Sequence, residues 1–164
     1  MTAAASQINP TCPVLESLAQ FDTSKVRRLE INYGDPPSSV LPCRALLPMK
    51  DLHALVFFQC VKPHTFIDAL HPDLGLSEAV VCPKLKELGL VLYDDEEIID
   101  IKCVIRMAAA RASMGAKLRA VAIVCQDTFM PSDLLELEKH VLHVECGPDV
   151  YGIDDSSDGS DEEA

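Results

Sequence analysis

The sequence predicts an α/β solenoid, short parallel strands alternating with helices, on three observations. Apolar residues recur at the first, fourth and sixth places of five short stretches; the stretches follow one another at comparable intervals; and the clearest segment between them has helical periodicity. The spacing carries the argument. A helix keeps its apolar residues three or four apart throughout and a strand keeps them two apart, so this mixture fits neither period alone. It fits a residue that closes a turn, followed by two inward positions of a short strand, whose side chains alternate between faces.

In chain order the copies are Val26, Leu29 and Ile31 in VRRLEI; Leu52, Leu55 and Phe57 in LHALVF; Leu85, Leu88 and Leu90 in LKELGL; Leu118, Val121 and Ile123 in LRAVAI; and Val141, Val144 and Cys146 in VLHVEC. The intervals between their first positions are irregular but close to that of a leucine-rich repeat, with its L-x-x-L-x-L-x-x-N/C-x-L frame. Cys60 stands where that frame wants Asn or Cys.

The segments between copies should return the chain to the start of the next strand. In DIKCVIRMAAARASMG, Ile101, Val104, Ile105, Ala108 and Ala112 recur at helical spacing, with Lys102, Arg106 and Arg111 mainly on other faces. Asp94, Asp95, Glu96 and Glu97 precede this helix, where negative charge suits its N-terminus, and Gly115 stands where the chain can turn left-handed beyond its end. A shorter helix runs from Ser132, as cap, to Lys139. The other links, PPSSVLPCRALLPM and KPHTFIDALHPDLGLSEAVVCP, hold a turn or two of helix broken by prolines. The expected organisation is an N-terminal segment over residues 1–25, weakly structured or a partial cap, a repeat domain over 26–147 and a disordered acidic tail over 148–164. Residues 1–25 hold only a short apolar patch around Val14, Leu15 and Leu18, so the first strand is expected to lack a full cover.

Composition narrows the class of function. The 164 residues are 48% hydrophobic, enough for one domain with a core. The net charge of -12 owes much to the last stretch, where Asp149, Asp154, Asp155, Asp158, Asp161, Glu162 and Glu163 meet no Lys or Arg. Nothing resembles a basic stripe, so no nucleic-acid partner is expected. Seven dispersed cysteines without a C-x-x-C pair point to reduced, mostly buried thiols of the cytoplasm or nucleus rather than to a disulfide framework or a zinc module. The N-terminus lacks a charged and apolar leader, and no apolar run has the length of a membrane span, so no membrane association is expected.

The phrases CPKLKELGLVLYDDEEIIDIKCVIRMAAARASMGAKLRAVAIV and LLELEKHVLHVECGPDV, with the Asp/Ser tail and, upstream, LLPMKDLHALVFFQC and FIDALHP, resemble the C-terminal, leucine-rich-repeat-like region of F-box proteins of mushroom-forming (basidiomycete) fungi. The resemblance covers most of residues 26–164. It implies a repeat region that selects substrates for a ubiquitin ligase, joined in that family to an F-box that docks on a Skp-type adaptor and its cullin. An F-box needs more chain than the residues before the first copy. The expectation is therefore a truncated product or fragment, or a repeat domain working without its adaptor module; adaptor and cullin are partners only if an upstream F-box exists.

The candidate site is the sheet face opposite the inward leucines, which solenoids commonly use for binding. There Phe58, Val91 and Val124 should form one row, with Val56 beside them and Arg28 and Glu87 at the rim. Two readings stand: a patch that touches a protein ligand or substrate, or side chains packed beneath another segment. No catalytic residue, metal or cofactor is expected, and the chain is expected to be a monomer. In His140, His143 and Cys146, strand alternation sends His143 outward and Cys146 inward, so the three do not converge on a metal. Cys82, Cys103 and Cys125 lie in apolar segments and read as core; no nucleophile elbow, phosphate loop or paired-His motif is present. Ser160, followed by Asp161, Glu162 and Glu163, is a candidate phosphorylation site in an acidophilic-kinase context. Two alternatives remain open: a free-standing acidic leucine-rich-repeat protein that binds basic partners as histone chaperones do, or a remnant without function.

Overall fold

The computed structural model describes residues 17–18, 20–32, 40–60, 62–73, 80–92, 99–126 and 128–148. Nine elements alternate along them: β1 (Arg28–Asn32), α1 (Val40–Leu46), β2 (Ala54–Phe58), α2 (Pro63–Leu70), β3 (Glu87–Val91), α3 (Ile101–Ser113), β4 (Ala120–Val124), α4 (Pro131–His140) and β5 (His143–Gly147). The strands form one parallel sheet in the order β1-β2-β3-β4-β5. Each repeat therefore lies beside its neighbours in sequence, a solenoid-like α/β arrangement.

Register shows why the first-fourth-sixth spacing recurs. Leu29, Leu55, Leu88, Val121 and Val144 stand opposite one another across the sheet, and so do Ile31, Phe57, Leu90, Ile123 and Cys146. Both rows face the helices. Within the inner strands these side chains are at most 2% exposed, and the first positions Leu52, Leu85 and Leu118 are fully buried beneath them. Burial of each such side chain contributes roughly 1.5 to 3 kcal/mol, so the row is the main source of stability on this side. Phe57 meets Phe66 of α2 with ring centroids 4.4 Å apart. The outer strands bury less, for Leu29, Val144 and Cys146 are only half-buried. Leu18 packs against the core; Val14 and Leu15 lie outside the described residues.

The Cys60 thiol lies where an Asn or Cys was expected. It is 3.9 Å from the Ile31 carbonyl of the adjoining repeat and 3.7 Å from the Phe58 carbonyl, so it acts as a weak donor between repeats.

Helix α3 is capped by Asp100, whose carboxylate accepts the Lys102 N–H, and beyond its end Gly115 adopts φ 76°. Its buried face differs from the expected one. Ile101, Val104 and Ala108 are buried as expected, but Met107 and Arg111 join them, while Ile105 and Ala112 are half-buried. Arg111 stands three residues after Ala108 and seven after Val104, and that interval returns to the same stripe. At the start of α4, Ser132 is not the cap: Met130 occupies that position without a side-chain bond, and Pro131, which has no N–H to satisfy, opens the helix. The residues 94–97 and the tail from 149, with its expected disorder, lie outside the described residues.

The buried Arg111 guanidinium holds three backbone carbonyls. It donates to Val81 at 2.7 Å, to Cys82 at 2.8 Å and to Leu70, at the end of α2, at 3.4 Å. The Cys82 thiol in turn donates to Leu46, at the end of α1, at 3.4 Å. One side chain thus links α3 to α2 and to the segment leading into β3, and through Cys82 to α1.

Replacing Arg111 by Met keeps much of the aliphatic volume but leaves these carbonyls unpaired. Arg111→Met should lower unfolding stability by about 2 to 4 kcal/mol in urea titration, and Arg111→Lys by less.

Candidate functional site

The other sheet face is built rung by rung from residues between the inward positions. Its first row runs Arg28, Ala54, Glu87, Ala120, His143; the second Glu30, Val56, Gly89, Ala122, Glu145; the third Asn32, Phe58, Val91, Val124, Gly147. The sequence-based row of Phe58, Val91 and Val124 is therefore in register.

Its accessibility differs across the face. Val56, Val91 and Val124 form a small buried cluster of their own with Phe58 against it, and Val91 and Val124 are 0% and 2% exposed. Those two side chains are buried, packed against Val56 and Phe58. A more accessible part lies nearer the strand starts, where Arg28 and Glu87 are exposed and Ala120 and Ala122 half-buried; with the buried Ala54, Val56, Leu88 and Gly89 they line an open cavity of about 170 Å³.

This groove is a consequence of small side chains in adjoining rungs. Ala54, Ala120 and Ala122 project only a methyl group and Gly89 none, whereas Phe58, Val91 and Val124 fill their side of the face with aromatic and branched surface. A volume of this size suits one or two side chains of a peptide and falls short of that typical of small-molecule pockets. Charge lies around it. Arg28 is committed to Glu30, with Nη2 to Oε1 at 2.8 Å, and at the far edge His143 meets Glu145 at 2.6 Å. Glu87 is exposed at the groove's rim, and no cation pairs with it among the described residues.

A second polar feature lies just before the strands. Asp51 receives Lys84 Nζ at 2.6 Å and lies 3.8 Å from Lys25, and His53 Nδ1 is 2.6 Å from the Asp51 carbonyl. The Lys84 hydrogen bond holds the Asp51 carboxyl below the usual carboxylate range. Arg27, Asp51, His53 and Lys84 surround a cavity of about 410 Å³. In the linear sequence these cations are dispersed, so a reading for basic runs misses them; their common place before each strand is the signal that finds them.

The remaining candidate residues do not converge. His140 pairs with Glu136 on α4, His143 is exposed on β5, and Cys146 turns toward the helix side, where burial pushes its thiol up to about 11. Among the described residues no group of three or more His, Cys, Asp or Glu is placed to hold a metal ion. Cys82 and Cys125 are buried, and burial raises the Cys82 thiol to about 12. Cys103 is half-buried against the edge of the core, and its thiol donates to Asp100 Oδ2 at 3.2 Å. Burial first, and then this bond, raise its pKa and keep it protonated. Ser160 lies outside the described residues. Among the described residues no helix is long and apolar enough to cross a membrane.

No protein-family model, curated protein or solved structure matches this chain.

Two outcomes follow from these environments. In native protein at pH 8, Cys82 should resist alkylation until global unfolding exposes it, as peptide mass analysis after timed labelling would show; labelling at the rate of a free thiol would contradict its burial. Because the folded-state pKa of Asp51 is depressed, its contribution to stability is present above about pH 4 and lost as pH falls through the lower folded value. Lys84→Met should therefore make the acid limb of the stability profile shallower in denaturation titrations below that pH.

Proposed function

We propose that this chain is a protein-binding repeat domain of the leucine-rich-repeat kind, and that it serves as the substrate-selecting part of an F-box-type ubiquitin-ligase receptor. The observation that carries the binding reading is the groove over Ala54, Gly89, Ala120 and Ala122, an open depression on a rigid sheet whose size suits peptide side chains. Five sequence copies that coincide rung by rung support the repeat reading. The ubiquitin-ligase part rests on the resemblance of the repeat segments to fungal F-box proteins, and free thiols at six described cysteines suit a reducing compartment, the cytoplasm or nucleus.

In this reading the chain binds and does no chemistry. A partner seats one or two side chains among the alanines, with Glu87 and Arg28 setting the polarity of the rim. Val56 forms the floor, and the third row stiffens the face behind it.

Capture of the product of the chain's own locus from native cells, as wild type and as Ala122→Arg, tests both parts. Ala122 is half-buried on an open face, so the substitution should alter stability by no more than about 0.5 kcal/mol. Skp-type adaptor and cullin should accompany both forms, while the selected substrate should fall about tenfold or more with Ala122→Arg. Wild-type capture without adaptor sinks the ubiquitin-ligase reading, and an unchanged partner set with Ala122→Arg sinks the groove. Histones in place of the adaptor, lost on deleting residues 149–164, would support the acidic chaperone reading instead.

A further inference from the structure

Just before its strand, each of the first four repeats carries a basic or imidazole side chain at the same rung: Arg27, His53, Lys86 and Arg119. The backbone aligns them. The N–H groups of His53, Lys86 and Arg119 donate to the carbonyls of Arg27, His53 and Lys86 at 2.7 to 2.8 Å, which extends the parallel ladder below the strands by one rung. With neighbouring strands about 4.8 Å apart, the row spans about 14 Å. All four residues are exposed. Two residues earlier the pattern repeats as Lys25, Lys84 and Lys117, with Asp51 in the remaining place.

Asp51 is paired with Lys84 and Lys25 and attracts Arg27 more weakly, and no carboxylate among the described residues forms a direct ion pair with Arg27, Lys86 or Arg119. Like charges held one or two strands apart repel, and an anion laid across them relieves that repulsion. Among the described residues, a chain of net charge -12 thus keeps an edge with more cations than carboxylates, and Arg27, Asp51, His53 and Lys84 line a cavity of about 410 Å³ at its β1 to β3 end.

We propose that this edge binds a short acidic peptide segment of a partner protein, its carboxylates running across the strands from Arg27 to Arg119. A short segment fits the row better than a nucleic acid. A long polyanion would continue past the row into the field of an acidic chain, and the row holds no Phe, Tyr or Trp on which bases would stack. The edge lies beside the groove but does not depend on it, nor on any link to a ubiquitin ligase.

The test uses the purified full chain and a fluorescein-labelled oligoglutamate, with oligoserine as the neutral probe, read by fluorescence anisotropy at low and physiological salt. Oligoglutamate should bind, more weakly as salt rises, and Arg27→Glu/Lys86→Glu/Arg119→Glu should weaken it by about tenfold or more. Lys102→Glu/Arg106→Glu/Lys139→Glu makes the same change in net charge on the helices and should leave binding within about twofold of wild type after the general charge effect. Arg27→Gln/Lys86→Gln/Arg119→Gln gives the same loss should charge reversal disturb folding, which circular dichroism checks. Wild-type binding no better than to oligoserine, or equal loss in the helix variant, overturns the proposal. Tighter binding of a single-stranded oligonucleotide, weakened by the edge variant, overturns the peptide assignment in favour of nucleic acid.

Discussion

The arrangement depends on a guanidinium buried without a carboxylate. Arg111 is 0% exposed, and burial lowers its pKa from the ordinary arginine range. What stabilises it is a set of backbone carbonyls at the end of α2 and in the segment that leads into β3, with Cys82 among them in the left-handed region at φ 48°. A positive φ at a residue with a side chain is strained and persists only where its surroundings hold it. Here the Cys82 carbonyl is held by Arg111 and its thiol by α1. That fixes where Leu85 and Leu88 meet the core, hence the register of β3, hence the position of Gly89 between Val56 and Ala122 in the groove.

Much of the fold was legible because the repeats obey a simple rule. An apolar residue that closes a turn and two that point inward are enough to locate all five strands, since burial on one side of a parallel sheet tolerates few exceptions. Asp100 and Gly115 marked the ends of α3 for the same local reasons that make caps readable anywhere. Arg111 belongs by spacing to the Val104–Ala108 stripe although its residue type favours the solvent side, and only the carbonyls of distant segments make a charge acceptable there. Ser132 failed as a cap because the proline before it already supplied the helix start.

The candidate site was legible in outline and not in depth. Alternation gave the rows of the outer face, but periodicity says nothing of how much of a row is covered, and Val91 and Val124 are buried where Ala120 and Ala122 are only half so. The cationic edge was invisible for a different reason. Its members, Arg27, His53, Lys86 and Arg119, each belong to a different repeat, and only the ladder brings them into one line. In a repeat architecture, charge must be read down the rungs as well as along the chain.

The pairs Arg28–Glu30 and His143–Glu145 have a consequence for assembly. They sit on β1 and β5, the outermost of the described strands, whereas the three strands between carry Ala, Val, Phe and Gly on the same face with Glu87 as the one charge. A sheet that grows by adding identical neighbours has to be told where to stop. Charged side chains on a terminal strand make docking of a further strand costly, because a second copy would have to desolvate them or set like charges side by side. Arg28, Glu30 and Glu145 therefore make a further strand costly to add at either outer described strand, while the interior of the face stays smooth.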